Sequence, residues 1–404
     1  MRKLYFIAVT ATLLAAGCQK TEIINPVGDY PGMSFTTDFG KLTKAADADS
    51  SGLFNLKKQD FRVWAYAAHD FDNTPKDDVT EVTIYDNMAD IKVEDNTNGW
   101  DPGKQYFWPG AGKQLYFFAV SDTDAFLGDV GVSDSESKAS PVDITMNNTE
   151  ENGVSVTTPT LMKITGYSVS ATNPNNDLMV ADFIKQSQED NEKTVNLNFK
   201  HTLSKVQFLF VTNPVEDISV FVQKLEVVGL LTQGDLTVTP GDFVEGTEGE
   251  EVAAVTFSWD LVGDAEGENA IKADFVDDYE TAYDGEDFPA KIEGNEPSAD
   301  DKKAMKITAT GTQDSPAQEF ATWLVLPQDI SNKTVKITYL INERQFTNEF
   351  ALSKGLTKWE VNQYVKYTIN LSPNLISFDA SVDEWAQYDS DTDKDGKQDI
   401  EMQN

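Results

Sequence analysis

Val195-Asn196-Leu197-Asn198-Phe199-Lys200 alternates apolar and polar side chains without a break. Successive side chains on a strand point to opposite faces, so this pattern describes a strand with one dry face and one wet face. The same period recurs at Val255, Phe257, Trp259 and Leu261, and again at Val365, Tyr367, Ile369 and Leu371, with polar residues between them. Shorter runs of the same kind occupy 61–67, 81–85, 113–120, 205–211, 219–228, 305–309, 323–326 and 334–341.

Clusters of Gly, Pro, Asn and Asp separate these runs, where a helical protein would show capped amphipathic stretches. Only 177–185 and 351–361 carry a helical suggestion. Many strands at this spacing define an all-β protein built from antiparallel sandwiches. The length allows two such domains. A division near residue 190 places an N-terminal β-sandwich at 45–190 and a C-terminal one at 191–388, followed by an acidic tail at 389–404. The acidic stretches 241–251 and 283–303 read as solvated loops, because their charge cannot be buried unpaired.

The N-terminus carries an address. Arg2 and Lys3 precede an apolar run from Leu4 to Ala16, which ends in Ala15-Ala16-Gly17-Cys18. A run of about a dozen residues is too short to span a bilayer, and small residues ahead of a cysteine admit a signal peptidase. Residues 1–18 therefore read as a lipoprotein signal peptide with its lipobox, and Cys18, the only cysteine, as the lipid-bearing first residue of the mature chain. Residues 19–44 read as a polar tether followed by a short strand and a cut site. Met33 and Phe35 share one face of that strand, and Lys41 and Lys44 sit in a soluble loop of the kind a trypsin-like protease nicks. An ordinary edge strand with an ordinary lysine accounts for the same residues.

The net charge of −36 becomes about −38 once Arg2 and Lys3 leave with the leader. Such a field repels phosphate backbones and anionic headgroups, which excludes nucleic acid as a partner and leaves the lipid anchor as the only membrane contact. With one cysteine there is no disulfide framework, so packing alone must stabilise the fold. Catalytic equipment is sparse. His69 and His201 are the only histidines, there is no free thiol in the lipidated chain, and neither a nucleophile elbow nor a phosphate-binding glycine loop is present. A glycosidase pair could hide among 68 acidic residues, but nothing singles out two of them. The expectation is a protein that is not an enzyme. The seven tryptophans read mainly as core residues, with sugar-stacking platforms as the alternative, and His201 reads as a polar residue at a strand connection.

Asp391-Thr392-Asp393-Lys394-Asp395-Gly396-Lys397-Gln398-Asp399 sets carboxylates at positions one, three, five and nine around a turn glycine. Hard oxygens at that spacing can converge on calcium, and Asp391, Asp393, Asp395 and Asp399 are the candidate ligands. The usual glutamate at position twelve is replaced by Met402, so the pattern is closer to aspartate loops of the thrombospondin or dockerin type than to an EF-hand. An acidic tail without a metal is the competing reading.

The leader, Tyr106-Phe107-Trp108-Pro109 before Leu115-Tyr116-Phe117-Phe118-Ala119, Asp177-Leu178-Met179-Val180-Ala181, the 195–201 strand leading to Lys205-Val206, Leu326-Pro327-Gln328, and Trp359 with 364–371 together resemble the fimbrillin family of Bacteroidetes. Asn362 stands where that family would have a turn glycine, and asparagine tolerates positive φ better than most residues. The resemblance implies two transthyretin-like sandwich domains and a fimbrial subunit or tip adhesin, secreted as a lipoprotein to the bacterial cell surface and outer membrane. It further implies cleavage after Lys44 by an Arg- or Lys-specific protease and release of the Met33–Phe39 strand. Fimbrial partners would then join by β-strand addition, with a donor strand from 375–385 carrying Ile376, Phe378 and Val382, and host or bacterial surface ligands would be bound. A monomeric, glycan-binding surface lipoprotein is the alternative from a different class.

Overall fold

The computed structural model describes residues 32–38, 60–68, 91–96, 99–103, 105–109, 113–121, 141–151, 154–169, 177–190, 194–246, 249–262, 271–283, 302–342, 344–372, 375–384 and 397–398. Every regular element among them is a strand. The two stretches with a helical suggestion are not helices. Residues 177–187 form the strands Met179–Ala181 and Phe183–Ser187, and 352–362 are turns. Tertiary burial overrides local propensity at the first, where Leu178, Val180 and Phe183 face one side and Met179, Ala181 and Ile184 belong to a second core cluster.

Four sheets stack as two sandwiches. In the first, a ten-stranded sheet runs in the order Ser34–Asp38, Thr194–His201, Met179–Ala181, Gln114–Ser121, Phe61–Ala67, Ile91–Asn96, Gly99–Asp101, with Phe183–Ser187, Glu251–Ala253 and Val244–Glu245 branching from it. Its partner is a four-stranded sheet ordered Val255–Leu261, Gln233–Pro240, Val154–Ser168, Val142–Glu151. Tyr116, Phe118 and Val120 share a core with Met162, Ile164 and Leu236 of that partner. The alternate residues Leu115, Phe117 and Ala119 belong to a second apolar cluster on the opposite face. The central strand Gln114–Ser121 is thus buried on both faces and reads as a continuous apolar run, as a doubly covered strand must.

The second sandwich sets the order Gln318–Val325, Ser204–Val211, Gln363–Ser372, Leu375–Glu384, Lys397–Gln398 against Lys272–Asp278, Val220–Leu231, Thr334–Ile341, Arg344–Ala351. Aromatic pairs close the gap between the sheets. Phe275 lies 5.4 Å from Trp323, and Phe350 stacks on Phe378 at 5.3 Å. Asn362 adopts φ +57°, as the turn required, and its N–H donates to Leu203 O at 3.0 Å.

Strand pairing crosses the 190/191 division read from the sequence. Thr194–His201 pairs inside the first sandwich, and the next strand, Ser204–Val211, begins the second. Val220–Leu231 runs on, past Thr232 alone, into Gln233–Pro240, which pairs back onto Val154–Ser168. The chain therefore passes between sandwiches in nearly continuous strands at these two places, and polar side chains fasten both. Trp259 Nε1 donates to Thr202 O at 2.7 Å, and His201 Nδ1 lies 2.6 Å from Asp177 Oδ2. Gln328 accepts from Leu231 N at 2.9 Å and donates to Leu231 O at 3.2 Å and Leu326 O at 3.1 Å. Gln328→Leu would strand both backbone groups of Leu231 in a buried site, so the protein should lose about 2–6 kcal/mol of stability, at ~1–3 kcal/mol per orphaned group. A denaturant midpoint equal to that of the unaltered protein would show that the clamp contributes nothing.

Candidate functional site

The strand Ser34–Asp38 takes a position that its local sequence does not explain. It lies at the edge of the ten-stranded sheet, parallel to Thr194–His201, with Ser34 opposite Thr194, Phe35 opposite Val195 and Asp38 opposite Asn198. Its ladder partner is 160 residues away, and no second strand flanks it among the described residues. Parallel pairing requires a long crossover rather than a hairpin, so nothing short in the chain holds this strand in place.

Side chains hold it instead. Met33 and Phe35 are 7% and 5% exposed. Phe35 meets Phe61 and Phe117 edge-on, with centroids 6.2 and 6.4 Å apart. The floor beneath is aromatic and aliphatic: Phe61, Trp108, Phe117, Val195, Leu197 and Phe199 are all buried. The solvent face carries hydroxyls. Ser34 Oγ and Thr194 Oγ1 are 2.8 Å apart, and Thr36 Oγ1 donates to Asn196 Oδ1 at 3.2 Å, whereas on the inward face, two residues past Phe35, Thr37 Oγ1 accepts from Trp100 Nε1 at 3.0 Å. At the strand's start Met33 N–H donates to Tyr106 O at 2.8 Å, and Gly32 bridges to Phe107. Burying two such side chains is worth about 3–6 kcal/mol in total, enough to seat a five-residue strand and small enough to reverse. Without Met33 and Phe35 the floor would be an apolar groove beside one unpaired strand edge, a template for any strand of matching pattern.

The proposed donor segment is occupied within its own chain. Leu375–Glu384 pairs antiparallel with Gln363–Ser372 over ten residues, from Ser372 opposite Leu375 to Gln363 opposite Glu384. Phe378 is 3% exposed and stacks on Tyr367 at 5.1 Å as well as on Phe350, whereas Ile376 is 38% exposed. Lys397–Gln398 pairs with Val382 and Asp383, which brings part of the tail alongside that strand. Cys18, Lys44, Asp391, Asp393, Asp395 and Asp399 lie outside the described residues. Among the described residues no group of three or more His, Cys, Asp or Glu side chains could hold a metal ion. Trp64, Trp108, Trp323 and Trp359 are buried, so none of them offers a sugar platform.

Sequence reading located the strand and its two inward side chains, but missed the Tyr106-Phe107 segment that anchors its start and Trp100, which caps it. Tyr106-Phe107-Trp108-Pro109 carried part of the family resemblance, but nothing in it signals that one of its carbonyls would face Met33.

The sequence matches the fimbrillin-like family over residues 43–385, and the chain belongs to that family. It is accordingly a fimbrial protein of the cell surface, and not an enzyme. Among solved structures, it is similar to a fimbrial protein from Bacteroides vulgatus at 13% identity, covering 88% of this chain and 99% of that one, with a TM-score of 0.46. It is also similar to a fimbrial assembly protein from Parabacteroides distasonis at 10% identity, covering 88% and 96%, with a TM-score of 0.31. No curated protein matches the sequence.

Proposed function

We propose that this chain is a fimbrial subunit or tip adhesin that assembles by exchanging its N-terminal strand. The observation that carries the reading is the seating of Ser34–Asp38: an edge strand in parallel register, with Met33 and Phe35 as its two buried apolar anchors on an aromatic floor. On this reading Cys18 takes lipid and holds the precursor at the outer membrane. An Arg- or Lys-specific protease cuts after Lys44, the strand leaves, and a strand from a neighbouring subunit takes its place. Two sandwich domains would then repeat along the fimbrium, with surface ligands met by the exposed faces of the tip. The aspartate loop from Asp391 to Asp399 remains a candidate calcium site.

The donor is the segment at Leu375–Glu384. Met33-Ser34-Phe35 and Ile376-Ser377-Phe378 share one pattern, with a bulky aliphatic residue and phenylalanine flanking a serine. Laid in the groove with Phe378 in place of Phe35, the segment would put Ser377 opposite Thr194 and Ile376 over the site of Met33. Leaving its own sheet would free Phe378 from Tyr367 and Phe350, and the groove would bury it again, so most of the apolar burial lost on departure is regained.

Limited trypsin digestion of the unlipidated precursor, followed by N-terminal sequencing and electron microscopy, tests the reading. A single early cut at Lys41 or Lys44 that yields ladders or filaments is expected, and Lys44→Ala should suppress cutting after residue 44, and the filaments that depend on it, at least tenfold, since a trypsin-like pocket built for a buried charge rejects alanine by far more than that. Filaments that form equally well from Lys44→Ala protein would move the cut elsewhere. A stable monomer after clean cutting would end the strand-exchange account.

A further inference from the structure

The strand Thr194–His201 is supported unevenly on the side away from Ser34–Asp38. Phe199, Lys200 and His201 pair with Ala181, Val180 and Met179, and Asp182 N–H donates to Asn198 O at 3.0 Å. There the neighbouring chain turns away, and Phe183–Ser187 pairs with Glu251–Ala253 instead. Carbonyls alternate sides along a strand, so Thr194 O points to the same side as Asn198 O, into the gap this divergence leaves. Gln186 fills it. The side chain is fully buried, and Nε2 donates to Thr194 O at 2.9 Å and to Asp190 O at 3.2 Å. Its Oε1 is buried with no hydrogen-bond partner among the described residues.

An unpaired buried amide oxygen destabilises the fold, and the surroundings would accept an apolar side chain. Leu115 stands directly opposite Gln186, and Ile184 lies on the same face two residues earlier. A glutamine kept at that position is explained by its two donor contacts. While Ser34–Asp38 is in place, Thr194–Asn198 has a ladder on its outer side. Once that strand is gone, this half keeps the Asp182 N–H bond to Asn198 O at one end and side-chain ties, Gln186 at Thr194 and Asp182 to Asn198 Nδ2 at 2.9 Å, with Asp182 also pairing Lys200 Nζ just beyond at 2.6 Å.

We propose that Gln186 is a positioning residue that keeps the accepting edge Thr194–Asn198 extended while its strand partner is exchanged. The role in exchange rests on the strand-exchange reading above; the support of the edge does not. A disordered acceptor would have to be re-formed with each incoming strand, whereas a held edge presents its carbonyls and the Val195 and Leu197 side chains ready to pair.

The test compares Gln186→Leu and Gln186→Met with the unaltered chain by two measurements. The first is amide hydrogen exchange on the intact precursor, reading 194–198 against 204–211 in the second sandwich. Exchange at 194–198 should accelerate about tenfold, the size of one lost hydrogen bond, with 204–211 and the denaturation midpoint unmoved. The second is the rate at which trypsin-cleaved protein captures a fluorescent peptide of residues 32–39, which should fall by a similar factor. Equal exchange in all three proteins overturns the proposal, and so does a uniform acceleration at both sites together with a lowered midpoint, which would mark an ordinary core residue. Faster local exchange with no peptide capture by any protein, the unaltered one included, would sustain the edge support and refute strand exchange.

Discussion

Phe35→Ala should release the N-terminal strand from its groove without unfolding either sandwich. Truncating a buried phenylalanine to alanine costs about 3–5 kcal/mol, and here the loss falls on an element with a single ladder and two buried anchors. Because each 1.4 kcal/mol is a factor of ten, the population with the strand undocked should rise by about two to three and a half orders of magnitude over its starting value. Hydrogen exchange at the amides of 33–38 reads this directly, with Trp100 fluorescence as a second probe because its indole N–H bonds Thr37. Thr36→Ala, on the solvent face, should change both by less than about 0.5 kcal/mol. If Phe35→Ala instead lowered the protection of the whole first sandwich by the same amount, the strand would be an inseparable part of the core, and exchange would require global unfolding.

How far the fold was legible depended on how each strand is buried. Thr334–Ile341 and Val255–Leu261 were readable to the residue, because one face is dry and the other wet along their full length. The hairpin Val142–Glu151 and Val154–Ser168 was not seen at all. Asn147, Asn148, Thr149, Thr157 and Thr158 supply polar side chains on both faces, so the period-two signal vanishes even though the backbone ladder is long. Arg344–Ala351 was missed for a related reason: it is an edge strand with six exposed positions, and only Asn348 and Phe350 are partly covered. The crossing between sandwiches was illegible in principle. A strand that passes from one sheet to the next past a single residue, as at Thr232, carries no turn signal, so a boundary had to be placed at the nearest polar stretch instead.

The site itself was half visible. Met33 and Phe35 announce a strand, but parallel pairing across 160 residues cannot be inferred from either segment alone. Several residues that carried the family resemblance have a physical task at the junction: Asp177 and His201 meet there, and Gln328 brackets Leu231. Trp359, deeper in the second sandwich, donates its indole N–H to Tyr367 Oη at 3.0 Å. Their spacing in sequence is loose because what they share is position in space.

The other large effect expected is a reversible block of assembly by a disulfide across the groove. Ser34 Oγ and Thr194 Oγ1 are 2.8 Å apart on directly opposed residues, so cysteines at both positions would bring two sulfurs within bonding range after a small adjustment of the side chains. With Cys18 replaced by serine to remove the competing thiol, the double variant Ser34→Cys, Thr194→Cys should oxidise to a single cross-linked species. The cross-link leaves Lys44 and Leu375–Glu384 untouched, so cleavage should proceed normally while the cut strand stays tethered. Under oxidising conditions filaments should be absent, and a reductant should restore them to the level of the Cys18→Ser parent. Each single-cysteine variant should assemble in both conditions, since a lone exposed substitution on the solvent face costs less than about 0.5 kcal/mol. Filaments from the fully oxidised, cleaved protein would mean that the groove under Met33 and Phe35 is not where subunits join. Failure to recover on reduction would instead point to damage by the substitutions. Only the pattern of block and release ties assembly to the departure of this strand.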